Sequence, residues 1–358
     1  MKQAPTDKQA LIDKLVAAVL YEGYLLYPYR PSVKNTQRWT FGGLFPQSYC
    51  ESRRSSEAWY MQCQCLVIGD VDSRLDAVAG FLQLVDRRLD EGSASASLSS
   101  DPAALLEKCC GPAAPDVQRG HAWQEAEERK AALESVPLGD LLAAPQRVTF
   151  HFPEQVARSL ASSADADRTV RREQRTLACR VELSAERLAA PAAKASRSEQ
   201  AFKLTARVAN VTPLAEPAHC SSAEAQLHSL ASTHIVLSAV QGEFASLVDP
   251  PERWREAAAG CRNERCWPVL VGEPPQRNTM LAAPIILYDY PQIAAESPGE
   301  LFDSTEIDEI LTLRIMTLTE SEKAEMAAAD PRGRALLQRV NSLGPDQLLA
   351  LHGMARNP

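Results

Sequence analysis

Apolar positions recur along this chain at two periods, and the changes from one to the other divide it. Residues 7–26 carry Leu11, Leu15, Val19 and Leu20 at helical spacing, with Thr6 placed to cap the start and Gly23 near the stop, so they predict an amphipathic helix. Residues 38–44 and 59–68 are short aromatic or β-branched segments around the polar CESRRSSE, the pattern of paired strands joined by a loop. Residues 72–89, DSRLDAVAGFLQLVDRRL, return to helical spacing. The segment from Glu91 to about Val136 is rich in Ala, Ser, Gly, Asp and Pro, and its EGSASASLSSDPAA reads as a linker.

Beyond the linker the period becomes two. RVTFHF, TLACRVELSAERL, AFKLTARVANVTPL and THIVLSAVQGEF read as strands, with Cys179, Val181 and Leu183 on one face of one, and Phe202, Leu204, Ala206 and Val208 on one face of the next. One-sided strands joined by polar loops suit an antiparallel arrangement. The C-terminal part returns to helix, marked by Asp303 or Ser304 as a cap, a Thr319-x-x-Glu322 capping box, Asp330 before Pro331, and a last short GPDQLLALHG. The expected fold class is therefore α+β. An N-terminal helix with paired strands (1–90) leads through an Ala/Ser/Pro-rich linker with a helical part (91–145). A central antiparallel, sandwich-like β-rich domain (146–275) follows, then an extended YDYP segment and a helical C-terminal tail (276–358).

Charge narrows the partners. The chain of 358 residues has a net charge of −8, which argues against nucleic acid or an anionic membrane surface. Its one basic run, Arg168, Arg171, Arg172 and Arg175, is interleaved with Asp167 and Glu173 and reads as a solvated face. No apolar run reaches the length of a membrane span and the N-terminus opens into an amphipathic helix, so a cytoplasmic location without membrane insertion is expected. The nine cysteines are odd in number and scattered, which favours reduced thiols.

Two cysteine pairs are the candidate metal ligands. Cys63 and Cys65, in YMQCQCLVIGD, share one strand face, where they can meet a soft metal ion, form a redox pair, or pack as small hydrophobes beside Val67. Cys261 and Cys266, in CRNERCWP, have a spacing known from iron–sulfur proteins, but no further thiolate follows at a defined distance. A composite site with Cys109 and Cys110, or with His219, Cys220 and His228, requires the fold to converge them. No C-x-x-C pair, G-x-S-x-G elbow, H-E-x-x-H helix or phosphate-binding glycine loop is present, so no catalytic or cofactor-binding residue is assigned. The acidic residues from Asp289 to Glu309 read as charges before and inside a helix's first turn.

Tyrosines supply the candidate binding residues. Tyr21, Tyr24, Tyr27 and Tyr29 lie within nine residues, and Tyr288 and Tyr290 flank Asp289 in LYDYP. Large amphipathic rings next to proline in extended chain are suited to a protein interface, or to an internal seam between the two segments.

Four blocks, LYEGYLLYPYRPS, RWTFG, WPVLVGE and TMLAAPIILYDYPQIAAESPGELFDSTEIDEILTLR, resemble the signature blocks of a family that accompanies actinobacterial-type, high-affinity [NiFe]-hydrogenase operons. Residues 90–200 carry no such block. The resemblance implies a non-catalytic accessory, assembly or maturation role, with a hydrogenase subunit or maturation factor as partner. It supplies no catalytic residues. The alternatives are a cysteine-based protein that handles nickel, zinc or an iron–sulfur precursor, and an enzyme whose site is assembled from distant residues.

Overall fold

One strand organises the molecule. In the computed structural model the residues described are 7–25, 42–90, 123–160, 169–189, 200–292, 315–320, 323 and 331–342. Strand β1 runs from Tyr60 to Asp90, 31 residues. It shares a sheet with β2 (Trp123–Pro137), β3 (Gln146–Phe152), β4 (Gln155–Leu160), β5 (Thr169–Gln174), β6 (Leu177–Arg187), β7 (Gln200–Asn210), β8 (Leu230–Phe244), β9 (Trp267–Leu270) and β10 (Thr279–Ala283). The order is β3-β6-β7-β1-β8-β10-β9, and the named pairings are antiparallel. On one side β1 pairs first with β7 (Tyr60 to Gly69) and then with β2 (Arg74 to Arg87). On the other it pairs with β8 and then β5. The protein is α+β with a sandwich-like antiparallel sheet, and residues from the expected N-terminal unit, linker and β domain all contribute strands to it.

The two halves of β1 are joined by a corner. Opposite Gln241 of β8 the β1–β8 register jumps from Gly69 to Arg74. Asp70 Oδ1 accepts from the N–H groups of Asp72 (2.9 Å) and Ser73 (3.1 Å), while Ser73 Oγ donates to Gln241 O (2.6 Å). A bulge of this kind bends a strand and increases its twist. Gly69 is required there, because a Cβ would lie 2.5 Å from Ser73 Oγ. With the corner in place, Met61, Cys63, Cys65 and Val67 from one half join Leu75, Ala77, Ala79 and Phe81 from the other in a single buried cluster. That cluster also takes the apolar faces of β6 and β7.

The second half of β1 corrects a sequence expectation. Residues 72–89 are strand, not helix. Leu75, Ala77, Ala79 and Phe81 face the main core, whereas Leu82 and Leu84 belong to a second cluster on the opposite face. With both faces covered, period-two alternation disappears and the apolar residues mimic helical spacing. The WQEAEERKAALESVP segment, expected within the linker, is strand β2 paired with β1. Tyr60–Ile68 is strand as expected, but β7 is its partner. Of the segment 38–44 that was to pair with it, residues 42–44 are described, and Leu44 makes one bridge, to Leu230.

Helix α1, Asp7–Leu25, lays Ile12, Leu15, Val16, Val19 and Leu20 on the outer face of the sheet against the cluster of Leu82, Leu84, Val269, Leu281 and Leu287. Burying several such side chains stabilises by roughly 1.5–3 kcal/mol each. In the C-terminal tail, Pro331–Ser342 is helical and begins at the expected proline. The other expected tail helices fall largely outside the described residues. Among the described residues, no helix is long and apolar enough to cross a membrane.

Candidate functional site

The four candidate metal ligands separate into three and one. Cys63 and Cys65 lie side by side on the inward face of β1, both fully buried, and Cys266 reaches the same cluster. The loop before Cys266 is laid along β1. Gln62 and Glu264 exchange backbone hydrogen bonds (3.1 and 2.9 Å), Gln64 N–H donates to Asn263 Oδ1 (2.7 Å), and Cys266 Sγ donates to Gln62 O (3.1 Å). Cys261 packs in a different cluster, near Trp254 and Leu66, with its Sγ 3.6 Å from Ala257 O. Cys109 and Cys110 lie outside the described residues. All seven described cysteines are free.

Cys63, Cys266 and Cys179 are held protonated. The hydrogen bond from Cys266 favours the Cys63 thiolate, but the bond to Cys65 and burial outweigh it and hold Cys63 well above the ordinary thiol range. The hydrogen bond to Cys63, followed by burial, pushes Cys266 up as well. Burial alone raises Cys179 to about 12. A metal ligand or nucleophile must be thiolate. Among the described residues no group of three or more His, Cys, Asp or Glu side chains is arranged to hold a metal ion.

The tyrosines divide as well. Tyr21 and Tyr24 fall on the backbone of α1, but their side chains, like Tyr27 and Tyr29, lie outside the described residues. Tyr288 and Tyr290 are described, and they do opposite things. After β10 the chain turns back along β9, the last strand of the sheet. β9 uses its inner side to pair with β10, and the pattern continues with Val271 N–H donating to Thr279 O (3.1 Å). The alternate residues, 268 and 270, face out. Residue 268 is proline and has no N–H. Leu270 N–H donates to Asp289 Oδ1 (2.8 Å), and its carbonyl accepts from Tyr290 N–H (2.7 Å). Asp289 Oδ2 also accepts from Ser246 Oγ. Tyr290 packs its ring on the main core and donates its hydroxyl to Gln276 O (2.9 Å). Asp289, grouped with an acidic cluster by sequence, is thus an edge cap, and β9 offers no open row for another strand to pair with.

Ile286 and Tyr288 take no part in this. They are 66% and 76% exposed, and Trp267, opposite Ala283 at the same end of the β9–β10 ladder, is 45% exposed. Leu287 between them is buried with α1. Gly42 approaches the same place. It has φ +61°, a Cβ there would lie 2.5 Å from Pro284, and its carbonyl accepts from Thr233 N–H (3.1 Å). Residues of three quoted blocks, RWTFG, WPVLVGE and TMLAAPIILYDYP, therefore meet at one edge of the sheet.

An open cleft of about 820 Å³ lies at the β1 corner, lined by Asp70, Gln241, Glu243, Gln276 and Arg277 among others, with no histidine or cysteine of the described residues in its wall. Its Asp70 is engaged in the corner itself. Of the basic run, Arg168 lies outside the described residues, Arg171 and Arg172 are on β5 and Arg175 follows it; Arg172 pairs with Glu125 of β2 (2.7 Å), Arg175 with Glu154 (3.5 Å) and Arg171 with Glu173. Compared with known proteins, the chain matches no family model and no curated protein, so the hydrogenase resemblance rests on the four sequence blocks that carry it.

Proposed function

We propose that this protein is a non-catalytic binding protein that docks a partner on the Trp267–Ile286–Tyr288 surface. On the resemblance of its blocks, the partner is a [NiFe]-hydrogenase subunit or maturation factor and the setting is the cytoplasm. One observation carries the reading. Within the segment 284–290 the fold uses Leu287, Asp289 and Tyr290 for its own edge and leaves Ile286 and Tyr288 to solvent. Neighbouring exposed aromatic and aliphatic residues on a firmly held segment are what an interface needs, since little order has to be gained on binding.

The test is co-expression of the tagged chain with the hydrogenase subunits and maturation factors, followed by capture and identification of what is retained. The expected result is retention of one of them by the natural sequence and its loss from Tyr288→Ala combined with Ile286→Ser, with the thermal midpoint unchanged. Equal retention by both proteins removes this surface as the site, and no retention by either removes the hydrogenase partner.

A second reading, thiol-based metal handling, rests on the shared burial of Cys63, Cys65 and Cys266, while the raised pKa of Cys63 and Cys266 and the lack of a three-ligand arrangement among the described residues count against it. Metal content after anaerobic purification decides it. A stoichiometric soft metal lost in Cys63→Ser supports it, and a metal-free protein destabilised by that change supports packing alone.

A further inference from the structure

The two ends of the sheet order are finished differently. At the β9 end the returning chain takes up the outer backbone groups of Leu270. At the other end stands β3, and its outer row is open. Val211 N–H donates to Ala178 O (2.9 Å) beside the Cys179–Asn210 pair, so Ala178, Arg180 and Glu182 turn their backbone groups toward β7, whereas Cys179, Val181 and Leu183 turn theirs toward β3. Those three pair with Phe150, Val148 and Gln146. Arg147, Thr149 and His151 therefore point their N–H and C=O groups away from β6, and all three residues are exposed. Among the described residues, no hydrogen bond is made to the backbone of this row.

The open stretch has defined ends. Pro145 and Pro153 hold the next outward positions on either side, each four residues from Thr149, and neither carries an N–H. The side chains follow the same symmetry. Val148, Phe150 and Phe152 lie half-buried against the main core, with Arg147, Thr149 and His151 on the other face. Arg147 is neutralised within the chain, by Glu182 of β6 (2.9 Å).

From this arrangement we infer that β3 is a self-association edge, on which a second copy of the chain pairs its own β3 antiparallel about a two-fold axis at Thr149. Such an interface uses one patch twice. In this register Thr149 faces Thr149 of the second copy, Arg147 faces His151, and Val148 faces Phe150. The three outward N–H groups of each copy all find a carbonyl, and each proline falls just outside the last pair. Thr–Thr and aromatic–β-branched pairs are combinations that stabilise antiparallel neighbours, and the half-buried Val148, Phe150 and Phe152 of the two copies meet in one continuous apolar layer. Matched length selects a copy over an unrelated strand: a segment bounded by proline at equal distances from its centre meets one that ends at the same places. A register centred on Pro153, running on through β4, sets Arg158 against Val148 and Glu154 against Phe152 and has no donor at its centre.

The experiment is sedimentation equilibrium of the full chain over a range of concentrations. The expected result is a concentration-dependent dimer that is weakened at least about tenfold by Thr149→Lys, which sets like charges directly opposite each other, and is unchanged by Tyr288→Ala combined with Ile286→Ser. Thr149→Cys reports the register. Its two sulfurs meet across the axis and oxidise to a disulfide-linked dimer, whereas the two copies of His151→Cys stand about 14 Å apart along the strands, beyond the reach of a disulfide. A monomer at every concentration overturns the inference and leaves the row to a strand of another protein. So does a dimer that Thr149→Lys leaves intact, or equal cross-linking at positions 149 and 151. Circular dichroism establishes that each variant is folded, and should Thr149→Lys fail to fold, the Thr149→Cys cross-link decides.

Discussion

The β9 edge and the Arg207 face differ in how completely the fold answers its own polar groups. At the edge, proline removes one N–H, Asp289 accepts from the next and from the Ser246 hydroxyl, and Tyr290 satisfies the carbonyl and anchors the returning chain. On the face of β7 opposite the main core, the Arg207 guanidinium lies 3.8 Å from the centroid of the Tyr60 ring and its Nε is buried without an acceptor. Buried polar groups are ordinarily matched. The first region therefore satisfies its own polar groups, and the second leaves one buried donor unmatched.

Several changes test this contrast, and the largest sets the conditions for the rest. His234 is fully buried on β8, and burial lowers its pKa from 6.5 to about 4. The unfolded chain then binds the extra proton in that interval, so the stabilisation is complete above about pH 6.5 and is lost as pH falls toward 4, by about 3 kcal/mol. A urea midpoint that stays flat between those limits disproves the burial of a neutral ring, and comparisons of the two regions belong above the interval.

At neutral pH, Asp289→Ala leaves Leu270 N–H and Ser246 Oγ without their acceptor. It is expected to cost roughly 2–3 kcal/mol in equilibrium denaturation. Tyr290→Phe deletes one hydroxyl bond and keeps the packed ring, for about 1 kcal/mol. The smallest effect is assigned to Arg207→Gln, which loses a cation–ring contact but also removes an unmatched buried Nε, and the expected net change is within about 0.5 kcal/mol. If Arg207→Gln costs as much as Asp289→Ala, the Arg207 face is architecture too and the contrast collapses.

How far the chain announces these features follows from which signals are local. β3, β6 and β7 are legible because each turns apolar residues to one side, as Cys179, Val181 and Leu183 do on β6, and β8 is legible from its β-branched run although it buries Ile235 and Leu237 in one cluster and packs Ala231 and Val236 in another. The second half of β1 is misread because Leu82 and Leu84 are buried by α1 while Ala79 and Phe81 are buried by the main core. β2 is missed for another reason: AEERKAALE has strong intrinsic helix preference, and pairing along β1 overrides it. LYDYP stands out in composition, yet nothing local separates Tyr290, which holds the edge, from Tyr288, which does not. The placing of Arg207 over Tyr60 has no sequence signature, because the two arrive on different strands. In the visible basic run, Arg171 and Arg172 find their counter-charges within β5 and on β2.

The length of β1 has a consequence for how this protein is made. Its first partner along the chain, β2, begins at Trp123, but its first half pairs with β7, and its central residues with β8, which closes at Phe244. Emerging from the ribosome, the apolar row from Met61 to Phe81 must wait while well over a hundred further residues are synthesised, and such late, distant pairing is slow and exposes adhesive surface. Biogenesis is thus the stage at which this chain most needs a chaperone, and a ribosome-stalled fragment ending before β7 will be captured by one where the finished protein is not.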